Sequence, residues 1–577
     1  MDIEKIKKRI AILGGGPSGL FVYKRLIESG RNDFDIDIFE RKAELGSGMP
    51  YSIEGANDEH VTNVSDNEIP VIVNAMAEWI KTAPSDLLER FKIDPERFNE
   101  YKVVPRLLFG YYLSGQFELL QQAGAKAGIV TKVHLNSTVT DVIWNSAKQV
   151  VNIEAAHSES QEFDYVVICT GHKWPVRYEG TIPGYYDAPY PPQKLAQRLN
   201  HPIAVKGSSL TAIDAIRTLA RHNGNFEESA DGSLFFEPLA ENDAFKIIMH
   251  SRSGMLPAVR FHLEDSHLSN SSLLTAEEID THRKNNDGFL SLDFLFEKDF
   301  KEIFRERDPE FYQQIKGFTI EDFVAEMMEL RERLDPFQLL RAEFKQAEKS
   351  IKRQESIYWK EMLAVLSFAV NHPAKYLSAE DMQRLQKVLM PLISIIIAFV
   401  PQKSCSELLA LHQAGVLDLV PVGAESTVEP QNNGGILYKF TDNDNIQQSV
   451  YYKTFIDCVG QPHLSYNDFP FQGLLSQKAV SSARLKFKSS EEGFTAFNKN
   501  SPIIEKDEQG DYFMQVPGIA VNDNFQIIDQ YGAYNKNIYM MAVPYMGGLN
   551  PDYSGLDFCE AASMRIVTEI LETYGNP

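Results

Sequence analysis

Residues 10–30 read IAILGGGPSGLFVYKRLIESG, and residues 34–41 read FDIDIFER. Ile10 to Leu13 is apolar throughout, which predicts a short buried strand. Gly14, Gly16 and Gly19 follow as G-x-G-x-x-G. Leu20, Tyr23, Leu26 and Ile27 then recur at helical spacing, and Phe34 to Phe39 predicts a second strand. Glu40 closes the unit, 21 residues past the last glycine. Strand, tight turn, helix, strand and acid is the grammar of a dinucleotide cradle. Gly14 permits the turn, Gly16 lets a pyrophosphate approach the backbone, and Gly19 lets helix and strand pack closely. The helix N-terminus faces the phosphates, and Glu40 accepts from a ribose. An ordinary βα turn is the bland alternative. Candidate contacts in this unit are Gly14, Gly16, Pro17, Ser18, Gly19, Glu40 and Arg41.

The same grammar returns at 203–222, IAVKGSSLTAIDAIRTLARH. Gly207 keeps the first glycine, and Ser208 follows it. Ser209 stands where a second glycine belongs, and Ala212 takes the third small position. Ser209 weakens the expectation, because its side chain crowds the closest backbone approach. Residues 245–249 predict another strand, followed by His250, Ser251 and Arg252. Arg252 is placed to meet a 2′-phosphate; the alternative is a surface arginine. Phe163 to Cys169 predicts a returning central strand, with Thr170 and Gly171 at its carboxyl edge, where ligands gather. Further candidates are Met49 and Asn63 in loops and Arg106 before a helix. That helix is expected to pack through Leu107, Tyr111 and Phe117. His60 is a loop candidate for flavin or substrate contacts, and His172 is either near the flavin or structural.

The chain has 577 residues, which implies more than one domain or one large core with a satellite. A net charge of −23 disfavours nucleic acid and anionic membranes. The four cysteines are widely spaced, with no C-x-x-C, which argues against a dithiol reductase and a zinc site. The histidines form no H-E-x-x-H, so no metal is expected. Residues 389–401, LMPLISIIIAFVP, fall short of the roughly 20 residues needed to cross a bilayer and predict a buried helix. The N-terminus shows no signal-peptide pattern, and the expected location is cytoplasmic. Helices are also expected at 322–333, 337–351 and 359–368, and at 556–574 near the end.

Several segments carry a family resemblance: GGGPSGL at 14–20, IFER at 38–41, Met49-Pro50-Tyr51, PRLLFGYYL at 105–113, VVICTGH at 166–172, KGSSLTAIDA at 206–215 and MHSRSGMLP at 249–257. Together they resemble the bacterial FAD/NAD(P)-binding oxidoreductases related to two-dinucleotide-binding-domain flavoprotein monooxygenases. The resemblance implies an α/β fold of two Rossmann-like dinucleotide-binding domains with an inserted, mainly helical region. It implies FAD at the first turn and NADPH at the second. The expected division is 1–195 and 464–577 for the FAD domain, 196–259 and 401–463 for the NAD(P)-like domain, and 260–400 for a helical insertion or cap. The implied activity is an FAD-dependent NAD(P)H oxidoreductase, in one form a monooxygenase acting on a small organic substrate. The alternative is a flavin-bound regulatory or scaffold protein with a degenerate second site. No catalytic acid or base is assigned, and oligomeric state is left open.

Overall fold

A computed structural model describes residues 7–230, 232–264, 273–499, 501–552 and 555–575. The strands that carry the fold run in chain order as β1 (Lys8–Leu13), β2 (Phe34–Phe39), β3 (Val130–His134), β4 (Tyr165–Ile168) and β5 (Tyr185–Tyr186). They continue as β6 (Pro202–Lys206), β7 (Lys246–Ser251), β8 (Leu417–Pro421) and β9 (Thr454–Asp457). Near the end come β10 (Gln526–Ile528) and β11 (Tyr534–Met540).

The first sheet has the order β10-β11-β4-β1-β2-β3 and is parallel except at β10. Its register aligns Ile12 with Ile38 on one side and Val167 on the other. These central residues are fully buried, so each strand reads as a continuous apolar run rather than an alternation. Both ends of the chain build this sheet, because β11 lies beside β4. The second sheet has the order β5-β9-β6-β7-β8, parallel throughout, with Val205 opposite Met249 and Ile456.

Eight helices frame these sheets: α1 (Pro17–Glu28), α2 (Arg106–Lys126), α3 (Leu210–Asn223), α4 (Pro336–Arg353), α5 (Tyr358–Val370), α6 (Met390–Ile397), α7 (Gln402–Gln413) and α8 (Leu556–Gly575). Residues 139–155 form a hairpin, with Val139–Asn145 antiparallel to Val150–Ala155. Tyr111 corrects an expectation: it is 48% exposed, while Leu107, Phe109, Tyr112 and Phe117 bury the inner face of α2.

The helical region between β7 and β8 shares an apolar core with the first sheet, through Leu292, Phe296, Leu366, Leu392 and Ile396. Phe337, Leu340 and Ala347 of α4 join the core of the second sheet instead. Among the described residues, no helix is long and apolar enough to cross a membrane.

Candidate functional site

The two strand–turn–helix units are twins at atomic detail. Gly14 has φ +113° and Gly207 φ +116°, a region that only glycine enters freely. A Cβ on Gly14 would meet the Cys169 carbonyl oxygen at 2.6 Å, and one on Gly207 the Cys458 oxygen at 2.7 Å. Gly14 N–H donates to Phe39 O and Gly207 N–H to His250 O, both at 2.8 Å. The objection raised by Ser209 dissolves in this geometry. Its φ of −95° and ψ of −166° match the −77° and −165° of Gly16, and its side chain is exposed. Serine therefore sits there without backbone strain. At the third position, a Cβ on Gly19 would strike Gly14 O at 2.0 Å, whereas Ala212 is accommodated and fully buried.

Around the first turn lies a continuous groove. A cavity of about 160 Å³ is lined by Gly14, Gly16, Ser18, Met49, Gly171 and Leu556, among others. It shares Arg41, Lys42 and Tyr51 with a second cavity of about 1050 Å³ that extends towards Val133 and Thr138. At the head of α1, Gly16 supplies no side-chain cap and Pro17 no N–H. The first helical bond is Leu20 N–H to Gly16 O, which leaves the amides of Ser18 and Gly19 ahead of it for an anion. Glu40 is 7% exposed and oriented by two amides, Gly15 N–H at 2.8 Å and Lys42 N–H at 2.9 Å. A dinucleotide with its pyrophosphate at α1 and its ribose at Glu40 fits this cradle. Burial pushes the Cys559 thiol up to about 12 and Cys169 well above its ordinary value, so both stay protonated beside the groove.

The structure distributes the other sequence candidates unevenly. Pro17, Arg41 and Met49 line the groove, and Thr170 precedes Gly171 at its wall. Asn63 and Arg106 are not among the residues that line it. Asn63 instead offers its carbonyl to Arg260. Ser208 donates to Met255 O at 2.7 Å beside the second turn, and Arg252 is exposed at the end of β7. His172 lines the groove and pairs with Gln461 at 3.1 Å; burial lowers its pKa, so the ring is neutral. Sequence reasoning missed Lys42, Tyr51, Val543, Leu556 and Cys559 at the groove.

Arg106 belongs to a buried polar cluster between the two units. Its guanidinium pairs with Asp214 of α3, and Tyr190 Oη donates to the same carboxylate at 2.8 Å. His60 Nε2 lies 3.1 Å from both Asp214 O and Thr218 Oγ1, and Thr218 donates to Glu59 at 2.7 Å. Burial would raise the Asp214 pKa, but Arg106 and then His60 outweigh it and hold the carboxyl below its usual range. Burial pushes His60 below the ordinary imidazole range. His60 is thus held in this cluster by Asp214 O and Thr218 Oγ1.

His250, at the end of β7, is 1% exposed and stacks on Tyr438 at 4.3 Å, with neither ring nitrogen hydrogen-bonded. Burial pushes its pKa down to about 4. The unfolded chain therefore takes up a proton first as pH falls below roughly 6.5, and the fold loses stability down to the folded value. At pH 5 this one group costs about 2 kcal/mol relative to pH 7.5. His250→Phe keeps the stacking and is expected to recover most of that loss. Urea melts of both proteins at the two pH values check it; an equal acid loss in the variant refutes the assignment.

Residues 11–173 match the family model described as FAD-NAD(P)-binding. The chain's cofactors are FAD and NAD(P), and the cradle at α1 fits the flavin dinucleotide. Residues 275–397, in the inserted helical region, match the YdhS-like middle domain. The uncharacterized protein YdhS of Escherichia coli (strain K12) is 29% identical over 477 residues, 82% of this chain and 86% of that protein. Among solved structures, an ornithine N-hydroxylase of Kutzneria sp. 744 has a TM-score of 0.44 at 12% identity, covering 98% of this chain and all of that one. A bacillithiol disulfide reductase of Staphylococcus aureus has a TM-score of 0.42 at 10% identity, covering 98% and 99%.

Proposed function

We propose that the chain is an FAD-dependent oxidoreductase that takes reducing equivalents from NADPH and uses them, with oxygen, on a small organic substrate. The observation that carries the NADPH reading is the register of the twin turns. Because Phe39 and His250 accept from equivalent glycine amides, Ser251 is the counterpart of Glu40, and Arg252 that of Arg41. A carboxylate at the first position suits ribose hydroxyls and repels a phosphate. A serine followed by an exposed arginine suits a 2′-phosphate. Ser251 Oγ already accepts from Gly254 N–H at 3.0 Å, which fixes the loop that carries Arg252.

Bound FAD would supply the hydride acceptor, gaining two electrons and a proton as NADPH becomes NADP⁺. The chain's own work is placement. The α1 amides would hold the pyrophosphate, and Glu40, fixed by Gly15 N–H, would accept from the adenosine ribose. His172 remains uncharged at the groove wall, and the thiols of Cys169 and Cys559 stay protonated, so neither presents a nucleophilic thiolate to the flavin. Hydroxylation of a small organic substrate is the form of the activity proposed here. No described residue of 260–400 lines the groove, so the helical region bears on it indirectly. Ser367 of α5 donates to Asp552 at 2.9 Å, just before the Gly555 and Leu556 that line the cavity.

Arg252→Ala is expected to weaken NADPH by about 1.5–3 kcal/mol, roughly 10- to 100-fold, with NADH little changed. Flavin reduction rates across concentrations of each nucleotide give the apparent affinities. Equal losses for both nucleotides would reject 2′-phosphate recognition by this arginine.

A further inference from the structure

Apart from the dinucleotide groove, a cavity of about 310 Å³ lies where the 99–103 loop, the 260–263 segment, the end of α4 and the start of α7 meet. It shares no lining residue with the groove. Its lining includes Lys102, Arg260, His262 and Lys403 and, among the described residues, no carboxylate, in a chain with 80 acidic and 57 basic residues. Arg260 is already matched by Glu68. The other two cations are not so matched. Lys102 Nζ donates to a neutral acceptor, Arg97 O, at 2.8 Å. Lys403 lies one turn before Glu407, whose carboxylate is shared by Arg217 and Arg221.

A donor without an acceptor points the same way. His262 is 6% exposed and packs on Tyr101 at 4.6 Å at this wall. Gln402 Nε2 is buried without a partner. The 12-residue helix α7 starts at this wall with no side-chain cap, so its first amides are open to an anion. Apolar surface from Tyr101, Val103, Leu263 and Ile351 completes the lining. The volume is at the small end for metabolite sites and far too small for a dinucleotide.

We propose that this cavity binds a small organic acid, with its carboxylate against His262, Gln402 and the start of α7 and its apolar body against Tyr101, Val103 and Leu263. The probe is 4-fluorobenzoate, observed by fluorine NMR with the full chain saturated with FAD. Saturable line broadening is expected, while the cation of similar shape, 4-fluorobenzylamine, gives none. Gln402→Glu and Lys403→Glu are each expected to weaken fluorobenzoate at least tenfold. Their FAD uptake and melting temperatures report whether they fold. Absence of saturable broadening by wild-type protein, equal broadening of the amine, or folded variants that bind as wild type would each overturn the proposal. The wild-type comparison of acid and amine decides the matter even where a variant does not fold.

Discussion

Gly16→Val is expected to yield folded protein that does not take up FAD. The glycine is the point of closest approach in the cradle. A Cβ there would already lie 3.1 Å from the Gly48 Cα, and the two further carbons of valine would occupy the space before the α1 amides. The phosphate then loses its charge-dipole and hydrogen-bond contacts together, so the loss should reach at least about 3 kcal/mol, a factor of more than 100. Flavin absorbance after reconstitution and mass analysis read the binding. The melting temperature of the flavin-free protein reads the fold separately. Retention of FAD at near wild-type affinity would place the flavin somewhere other than the Gly14–Gly19 turn.

The second large effect concerns the contact between the units. Arg106→Ala removes the cation that neutralises Asp214 while leaving that carboxylate buried with the Tyr190 hydroxyl as its donor. An abandoned buried charge costs about 3–5 kcal/mol. Asp214→Leu combined with Arg106→Met and Tyr190→Phe removes both charges and the hydroxyl that donates to Asp214, and should recover most of the loss, because no buried polar group is left without its partner. Urea unfolding of the wild type and the two variants measures this. The native pair also has an acid limit. Asp214 ionises below the usual carboxylate pKa, so its stabilisation is present above the unfolded value of about 3.9 and disappears as pH falls through the lower folded value. A cost under about 1 kcal/mol for Arg106→Ala would mean that water, not Arg106, balances Asp214.

The fold was legible where chemistry is local. The strand at 34–39 is found at Phe34–Phe39, and the helix expected at 322–333 spans Ile320–Arg333, where Thr319 and Asp322 form the capping pair. The final helix is also found, at Leu556–Gly575. The glycine turns were readable because their residue types answer a backbone demand. Contacts across the chain left no such trace. Arg106 and Asp214 are 108 positions apart, and nothing near either predicts the other. Ser18 meets Cys559 at 3.5 Å across 541 positions. Arg106 therefore read as a cofactor contact on the strength of its place before a helix. The pairing of Glu40 with Ser251 needed the hydrogen-bond register of two strands, which residue spacing alone does not supply.

The central claim is that one chain holds a flavin and a nicotinamide nucleotide that exchange a hydride. The direct measurement is anaerobic mixing of the FAD-loaded protein with NADPH, followed at the flavin absorbance band. The account predicts saturable bleaching by NADPH, with NADH requiring higher concentrations for the same rate. Flavin that stays oxidised in excess NADPH and NADH would contradict it and leave a flavin-binding protein whose second turn serves another purpose.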